Sequence, residues 1–268
     1  MNISNLHTHT SLCKHALGDP ADYVRQANVD GCSALGFSDH CPLPDNTWPG
    51  SRMYREELPK YRELVNAAKK EADFPVFFGF ECDWYPSYTN WIRDRLRYEE
   101  KADYLIYGSH WVNENGEFLF CGEISGVRFL RKYADLTVGG IQSGLFDFIA
   151  HPDIFMMAYT NIDENIRSAW QDIIEAAIGM NMPLEINGNG LNRQKIYSDT
   201  GMRAPYPVRE FWEMAAASGA RIICSSDAHS PSAVISYARD AVRFAEELGI
   251  TPEDPVSAIG LTADKTGT

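Results

Sequence analysis

The sequence predicts an α/β protein built as a distorted, TIM-like (β/α)7 barrel, with a metal site at the carboxyl ends of its strands. Seven apolar runs alternate with seven segments that can form helices, a pattern typical of parallel βαβ units. Six of these runs are followed immediately by residue types that can bind metal. Because composition does not change along residues 1–268, we expect one barrel domain rather than an open doubly wound sheet.

The predicted strands are short apolar runs rich in strand-forming residues. In chain order they are Ile3–Leu6, Ala34–Ser38, Val76–Glu81, Tyr104–Tyr107, Phe146–Ala150, Leu184–Ile186 and Ile222–Cys224. The predicted helices follow them. Two, 56–72 and 164–180, carry apolar residues at three- and four-residue spacing. The others are 20–30, 90–101, 125–138, 208–218 and 233–247.

Composition limits the kinds of partner. Hydrophobic residues make up 44% of the chain and charged residues 23%, which is ordinary for a protein with a large core. The net charge of −13 argues against nucleic acid as the main partner, because binding a phosphate backbone needs a basic face. A pocket that attracts a small phosphate ester is compatible with this charge if it holds cations. The sequence carries no signal for an oligomeric state.

The sequence also indicates a compartment. No apolar run reaches about 18 residues, and the N-terminal segment lacks the basic and apolar regions of a signal peptide. The six cysteines are dispersed without a Cys-x-x-Cys pair, unlike a zinc ribbon or a small disulfide scaffold. We therefore expect a cytoplasmic protein with reduced cysteines and no membrane segment.

Histidines are concentrated at the predicted strand ends. Six of the seven histidines fall at or just after an apolar run, and a glutamate and an aspartate occupy similar positions. The carboxyl ends of barrel strands are where α/β barrels place their active sites, and imidazole is a common metal ligand. We expect a multi-ion centre formed by His7, His9, His40, Glu81, His110, His151, Asp227 and His229.

Each of these residues also has a structural interpretation. A single histidine at a strand end is more often a hydrogen-bonded or capping residue than a ligand. A carboxylate after a strand is commonly a helix N-cap or part of a loop salt bridge. Six strand ends that carry such residues together favour the metal centre, because carboxylates buried in one layer need cations.

These residues, in this order, resemble the polymerase-and-histidinol-phosphatase (PHP) family over about residues 5–235. A narrower likeness is to the branch that acts on histidinol phosphate. It consists of His7-Thr8-His9-Thr10 with Cys13 and His15-Ala16, of Gly108-Ser109-His110, and of Glu185-Ile186-Asn187 with Gly190-Leu191-Asn192-Arg193. The loop Glu-Ile-Asn-Gly-Asn-Gly-Leu-Asn-Arg departs from the branch pattern Asn-Thr-Ser-Gly-Leu-Arg, so the spacing to the arginine differs.

The resemblance implies nine protein ligands and three divalent ions, one of which is held partly by a loop histidine, His15. We expect two to three bound ions of zinc, iron or manganese, since a mixed nitrogen and oxygen ligand set suits these metals better than magnesium or calcium. The implied groups are His7, His9, Glu81 and Asp227 for the first ion, Glu81, His110 and His151 for the second, and His15, His40 and His229 for the third.

The resemblance also implies how such a centre acts. Neighbouring ions lower the pKa of a bridging water and clamp the oxygens of an in-line displacement at phosphorus. Glu81 is a predicted catalytic residue because it would bridge two ions. No covalent nucleophile is then required. The alternative is a nucleophilic role for Ser38 or Ser109, which lie beside histidine motifs.

Substrate contacts are predicted mainly in the loop after the sixth strand. Arg193 is the predicted phosphate clamp, because a guanidinium pairs bidentately with phosphate; a surface ion pair is the alternative. Asn187 and Arg203, at the start and far end of this loop, are further candidates for substrate binding. Asp39 is predicted either to orient a ligand or to protonate the leaving oxygen, and Asp153 to orient a ligand.

Aromatic residues in two loops, Cys41–Arg55 and Trp84–Trp91, lie on the side of the predicted site. They could form a wall for a flat ring such as imidazole, or they could only close the barrel mouth by packing. They are Trp48, Tyr54, Trp84, Tyr85, Tyr88 and Trp91.

The function that these observations favour is a metal-dependent phosphomonoesterase, a hydrolase that converts L-histidinol phosphate to L-histidinol and phosphate in histidine biosynthesis. One alternative is a PHP phosphoesterase that acts on another small phosphate ester or a nucleotide. Another is an amidohydrolase-like metal hydrolase, because His-x-His after a first barrel strand also begins those sites. The non-enzyme alternative is a metal-binding module without turnover.

Overall fold

The computed structural model describes residues 3–262, and the parallel sheet that organises them contains all seven predicted strands. Four further strands were not predicted, because their sequences mix polar and apolar residues and form no sustained apolar run. Numbered in chain order, the strands are β1 (Ile3–Asn5), β2 (Cys32–Phe37), β3 (Val76–Cys82), β4 (Tyr104–Tyr107), β5 (Trp111–Glu114), β6 (Glu117–Phe120), β7 (Phe148–Ile149), β8 (Leu184–Asn187), β9 (Ile196–Ser198), β10 (Gly201–Arg203) and β11 (Ile222–Ser225).

The main sheet has the strand order β1-β2-β3-β4-β7-β8-β11, and its pairs are parallel. The order follows the chain, as expected when each strand is linked to the next by a crossover segment. Two antiparallel hairpins, β5-β6 and β9-β10, lie outside this sheet. Both are inserted after strand ends, so they contribute to the face where the carboxyl ends of the sheet strands lie.

The helices occupy the predicted segments with small differences at their ends. The segment predicted at 90–101 forms a π-helix, Trp91–Glu99. Two short helices, α5 and α8, were not predicted. The α-helices are α1 (Pro20–Asp30), α2 (Leu58–Lys69), α3 (Val127–Gln142), α4 (Glu164–Gly179), α5 (Gly188–Asn192), α6 (Arg209–Ala217), α7 (Ser236–Glu247) and α8 (Pro255–Ala258). None of the helices within residues 3–262 is long and apolar enough to cross a membrane.

The first and last strands of the sheet meet without a continuous ladder. A single parallel bridge joins Thr8 to Ala228, just beyond the two strands. The buried amide of Asn5 completes this seam. Its Nδ2 donates to Ser226 Oγ at 2.7 Å and to Val234 O at 3.0 Å, and its Oδ1 accepts from Ser226 N at 2.9 Å. The predicted (β/α)7 architecture is confirmed as a distorted barrel. Among the described residues, no ladder closes it between the first and last strands, where the Thr8–Ala228 bridge and the side chains of Asn5 and Ser226 span the gap.

The interior of the barrel is filled by a small apolar cluster below the carboxyl ends of the strands. Tyr104 crosses this interior and donates its hydroxyl to Leu6 O at 2.7 Å. Gly36 and Gly79 make room for it, because a Cβ at either position would overlap the Tyr104 ring or hydroxyl. Leu261 and Ala258 lie in the same cluster. The filled interior leaves the carboxyl ends of the strands as the place for a site.

Candidate metal centre and active site

The nine predicted ligands come together at the carboxyl ends of the sheet strands. His7, His9 and Glu81 are at most 1% exposed, whereas His15 lies in an exposed position at the rim. The strands place these residues because their apolar side chains are buried on both faces up to the last residues, as in β3, where all seven residues are buried. The first polar residues therefore stand where the strands end.

Four ligand atoms form a group with the dimensions of a tetrahedral metal site. His9 Nε2 lies 3.1 Å from His7 Nε2, 3.1 Å from Asp227 Oδ1 and 3.3 Å from Glu81 Oε2. His7 Nε2 lies 3.4 Å from Glu81 Oε2 and 3.5 Å from Asp227 Oδ1. Zinc–nitrogen bonds of about 2.0–2.1 Å give a tetrahedron with edges of about 3.3–3.4 Å. Five of the six distances among these four atoms therefore match the edges of a site for one ion of this size, and His7, His9 and Glu81 form a compact group of three ligand atoms.

The other carboxylate oxygen of Glu81 faces a second pair of histidines. Glu81 Oε1 lies 2.9 Å from His151 Nε2 and 3.3 Å from His110 Nε2. His40 Nδ1 approaches Glu81 Oε2 at 3.1 Å. Glu81 thus contacts members of all three predicted ligand groups. A carboxylate that presents its two oxygens to different nitrogen groups has the arrangement of a bridging ligand.

The third group lies nearer to solvent. His15 Nε2 and His229 Nε2 are 3.1 Å apart, and the ligand atoms of His15, His40 and His229 all lie within 4.8 Å of one another. His15 Nδ1 donates to Cys13 O at 2.8 Å, and His229 Nδ1 donates to Asp227 O at 3.0 Å. These bonds leave the two Nε2 atoms without a proton and free to bind an ion.

Glu185 supports the most deeply buried ligand from behind. Its Oε1 accepts a hydrogen bond of 2.8 Å from His7 Nδ1, and both side chains are completely buried. A carboxylate on the outer nitrogen fixes the tautomer of a metal-binding histidine and raises its basicity. Glu185 was part of a quoted motif but was not predicted to have this role, because the direction of its side chain cannot be read from the sequence.

The electrostatics of the cluster favour bound cations. Burial alone would lower the pKa of His7, yet the carboxylates of Glu185, Asp227 and Glu81 raise this pKa to about 10. Burial raises the pKa of Glu81, but the charges of His110 and His7 hold it well below its usual range. Without ions, the carboxylates are therefore balanced only by protonated imidazoles. Divalent ions would supply the same positive charge and release those protons.

Two predicted ligands have positive φ angles, and a glycine at the site lies too close to two ligands to carry a side chain. His151 and Asp227 have φ angles of 30° and 52°, in a region that non-glycine residues seldom adopt. Such strain is concentrated at functional sites. Gly108, in the predicted Gly108-Ser109-His110 motif, must lack a side chain, because a Cβ there would overlap the Glu81 carboxylate and the His110 ring.

A small cavity of about 160 Å³ opens above the ligands. The non-ligand residues around it include both apolar or aromatic side chains and polar ones. They are Ser51, Arg52, Trp111, Phe120, Ile154, Asn189, Arg193 and Tyr206.

Arg193 is the predicted substrate residue that reaches this cavity. Its guanidinium lies 5.9 Å from the centre of the Tyr206 ring, and among the described residues it has no hydrogen-bond or ion-pair partner. The extra residues that distinguish this loop from the branch pattern form helix α5, whose first residue accepts a bond from Asn192 Nδ2 at 2.9 Å. The added turn therefore leaves the arginine at the cavity wall.

Asn187 and Arg203 are placed differently from the predicted substrate contacts, since neither lines the cavity. Asn187 Nδ2 donates to Glu185 Oε2 at 3.0 Å and to Asp227 Oδ2 at 3.2 Å, which orients two acids of the centre. Arg203 donates to four backbone carbonyl oxygens, among them Tyr159 O at 2.7 Å. Both placements favour a structural role.

The two predicted aspartates also lie behind the cavity wall. Asp39 Oδ1 accepts from Thr10 N at 2.9 Å, and burial raises the pKa of Asp39 to about 6. Its Oδ1 is 3.8 Å from His9 Nδ1, too far for a hydrogen bond. Asp153 Oδ2 accepts from Val208 N at 2.6 Å rather than from a histidine. In these positions the aspartates hold loops in place.

None of the six aromatic residues predicted in the two loops lines the cavity. Tyr54 is 43% exposed, whereas Trp48, Trp84, Tyr88 and Trp91 pack against the hydrophobic core. Trp48 stacks on Trp111 with ring centres 5.3 Å apart and planes at 16°, and Tyr85 donates its hydroxyl to Trp111 O. The wall itself is formed by Trp111 and Phe120 from the β5-β6 hairpin. This hairpin was not predicted, so its aromatic residues were missed.

The sequence analysis also missed three polar residues around the centre. Asp83 contacts His110, Arg52 contacts Asp83, and Asn189 Nδ2 donates to Asp227 Oδ2 at 3.2 Å. Asp83 had a usable signal, because it follows Glu81 by two residues and so points to the same face of the strand. Arg52 and Asn189 lie in a loop and a short helix, where spacing carries no such information.

The parallel sheet, the filled interior and the cluster of histidines and acids at the strand ends together define a metal-dependent α/β-barrel site. A family model described as the PHP domain matches residues 5–189. The chain belongs to the PHP family.

Named relatives are similar over nearly the whole chain. A probable histidinol-phosphatase of Deinococcus radiodurans is 31% identical over 257 residues, which cover 92% of this chain and 94% of the relative. A probable histidinol-phosphatase of Schizosaccharomyces pombe is 23% identical and covers 94% and 88%. The crystal structure of histidinol phosphate phosphatase from Lactococcus lactis, complexed with zinc, L-histidinol and phosphate, has a TM-score of 0.71 at 17% identity, covering 94% of this chain and 95% of that chain.

Proposed function

We propose that this protein is a metal-dependent phosphomonoesterase that hydrolyses L-histidinol phosphate to L-histidinol and phosphate. The observation that carries the proposal is the group of His7, His9, Glu81 and Asp227, whose ligand atoms have the spacing of a tetrahedral metal site. The substrate comes from the comparison with the 31% identical relative, named as a probable histidinol-phosphatase.

The proposed centre holds up to three ions in the groups described above, and Glu81 joins them. The donor set of imidazoles and carboxylates suits zinc, iron or manganese. When bound, these ions would supply Lewis-acid activation of water and of the phosphoryl group. The chain contributes the spacing of the ligands, and Glu185 and the carbonyls of Cys13 and Asp227 contribute their orientation.

Arg193 is proposed to bind the phosphoryl group from the open side of the cavity. Within residues 3–262 its guanidinium has no hydrogen-bond or ion-pair partner, and it lines the same cavity as the ligand Asp227. Asn187 and Asn189, from the start of α5, donate to Asp227. A guanidinium offers two parallel N–H donors to phosphate oxygens. It would stabilise negative charge on the phosphoryl oxygens throughout the reaction.

The remaining wall is proposed to bind the organic part of the substrate. Trp111, Phe120, Ile154 and Tyr206 present ring faces and an aliphatic group to the cavity. Such a surface excludes water and can stack on a flat imidazole ring. Asp39 does not reach this space, so in this proposal it supports Thr10 and the ligand loop and does not protonate the leaving oxygen.

The proposal includes location and organisation. Residues 1–268 would form one phosphoesterase domain, which acts in the cytoplasm in histidine biosynthesis. The six cysteines are all free and buried in the structure, as a reducing compartment would allow.

Phosphate release tests this function. The metal-loaded protein should hydrolyse L-histidinol phosphate with a kcat/KM well above that for other small phosphate esters and nucleotides, and it should not cleave amides. Preference for another phosphate ester would keep the phosphomonoesterase and overturn the substrate. Amide hydrolysis without phosphatase activity would favour an amidohydrolase-like enzyme. Binding of metal with no turnover of any ester would leave a metal-binding module.

A further inference from the structure

A buried chain of contacts connects the loop before α2 to the second group of ligands. Arg52 Nη2 donates to Asp83 Oδ2 at 2.9 Å. Asp83 Oδ1 accepts from the backbone N–H of His110 at 3.0 Å and lies 3.3 Å from His110 Nδ1. His110 Nε2 in turn is 3.3 Å from Glu81 Oε1. The chain of contacts thus runs from Arg52 through Asp83 and His110 to the bridging carboxylate.

We propose that Arg52 is a positioning residue, which fixes Asp83 and thereby the ring of His110 for binding the second ion. The inference rests on the proposed function, because it assigns His110 to an ion of the phosphatase centre. It concerns the protein's own residues and requires no contact between Arg52 and substrate.

The burial of the pair indicates that its geometry matters. The side chains of Arg52 and Asp83 are both only 2% exposed. Removing two charges from water is expensive, so a buried pair is weak evidence for stability by itself and is better explained by a role in specifying geometry. Here the geometry that is specified is the orientation of a ligand, since Asp83 holds both the backbone and the side chain of His110.

The guanidinium is itself held from two other directions. Arg52 Nη1 donates to Cys41 O at 3.0 Å, and the guanidinium lies 4.8 Å from the Trp48 ring centre. Trp48 stacks on Trp111, the residue next to His110. The loop before α2 therefore reaches the surroundings of His110 by two routes. Arg52 contacts Asp83, which holds His110, and Trp48 stacks on Trp111, which follows His110 in the chain.

Lysine should replace Arg52 only in part. It keeps the positive charge beside Asp83, but it lacks the planar fork that reaches Asp83 and Cys41 O at once. Methionine keeps much of the length and apolar surface and removes the charge. Asp83→Asn tests the next member of the chain of contacts, because an amide retains an acceptor for His110 N and loses the negative charge beside His110 Nδ1.

The experiment measures metal binding first, since this needs no substrate. We would compare the wild type with Arg52→Met, Arg52→Lys and Asp83→Asn by chelator competition and by the visible spectrum of the cobalt-loaded protein. The affinity of one ion should fall roughly 10–100-fold in Arg52→Met and Asp83→Asn, the range for loss of an outer partner of a ligand, with a changed cobalt spectrum. Arg52→Lys should recover part of the affinity.

Arg62→Met is the matched control. Arg62 is also paired with an acid, Glu100, but neither residue lines the cavity of the site. It should lower thermal stability without changing the cobalt spectrum or ion affinity. If Arg52→Met does not fold, Asp83→Asn and Arg52→Lys give the same comparison.

Turnover then separates positioning from direct contact. At limiting metal, kcat should fall in Arg52→Met while KM changes little, and excess metal should restore part of kcat. Wild-type ion affinity and spectrum in both Arg52→Met and Asp83→Asn would overturn the proposal. A raised KM with unchanged metal binding would also overturn it and make Arg52 a substrate contact. Altered metal binding in a protein that does not hydrolyse histidinol phosphate would refute the substrate and keep the positioning role.

Discussion

Glu81 is the residue on which the centre depends most, because both of its oxygens contact ligand nitrogens. Replacing it with glutamine should reduce kcat by more than about 100-fold, beyond the effect of losing an outer partner of a ligand, since a neutral amide bridges ions poorly. Metal content should also fall while the circular dichroism spectrum stays unchanged.

Glu100→Gln is the control for Glu81→Gln. Glu100 is also a buried acid, 7% exposed, and it pairs with arginines away from the site. It should alter stability and leave metal content unchanged. Near wild-type turnover and metal content in Glu81→Gln would make Glu81 a structural acid.

Arg193 should contribute to substrate binding and to the transition state. In Arg193→Ala we expect a higher KM and a loss in kcat/KM equivalent to about 2–4 kcal/mol, because one phosphoryl oxygen loses its charged partner. Lysine should recover only part of the loss, since it is a point charge without the fork. Steady-state kinetics at constant metal content measure both.

Arg209→Ala is the surface control for Arg193, since its pair with Glu213 is about half exposed. It should be neutral. Unchanged kcat and KM in Arg193→Ala would mean that the phosphoryl group is bound by the ions or another residue.

The residue types of the centre could be predicted, but their orientation could not. His7, His9 and Asp227 stand out because they follow apolar runs, and position alone brings them to one edge of the sheet. By contrast, Asn187 was predicted to contact substrate, whereas its amide donates to two acids. The difference is one of side-chain direction within a loop, which depends on neighbours distant in the sequence.

Among the elements, the seam between β1 and β11 has no ladder within the described residues, only the Thr8–Ala228 bridge, and Asn5 spans it. Replacing Asn5 with alanine should lower the free energy of unfolding by about 3–5 kcal/mol, because several buried donors and acceptors lose their partner at once. Urea unfolding of the metal-free protein measures the change. Asn165→Ala, at an exposed helix start, should change it by less than about 0.5 kcal/mol. A similar small effect at Asn5 would show that the Thr8–Ala228 bridge and Ser226 hold the first and last strands together without it.

The elements with a clear period or a purely apolar run were predictable, and those of mixed composition were not. Helix α1 occupies the predicted segment 20–30, and β4 has the predicted bounds. The helix shows a period, and the four residues of β4 are all apolar or aromatic. The β5-β6 hairpin, with four residues per strand, follows a predicted strand end so closely that no period develops, and this hairpin supplies Trp111 and Phe120 to the cavity.

For the whole molecule, the ions should matter for stability as well as activity. The chain has a net charge of −13, and three of its buried acids, Glu81, Glu185 and Asp227, lie within one cluster of imidazoles. The purified protein should contain two to three transition-metal ions per chain, and chelation should abolish phosphatase activity. Chelation should also lower the free energy of unfolding. The loss should be about 3 kcal/mol for each ion whose free concentration was 100 times its Kd before chelation.

Elemental analysis and thermal unfolding, before and after chelation, check this prediction, with zinc or manganese added back as the control for reversibility. Full activity in chelator together with a protein free of metal would contradict it.

The spread of the ligands along the chain has a consequence for biosynthesis. His7 is synthesised long before Asp227 and His229, and domains generally fold as units during synthesis. A nascent chain that ends before Asp227 lacks part of both the first and the third ligand groups, however well its early strands have formed. Tight capture of the full set of ions therefore waits until synthesis has passed His229, and shorter chains compete poorly for scarce metal.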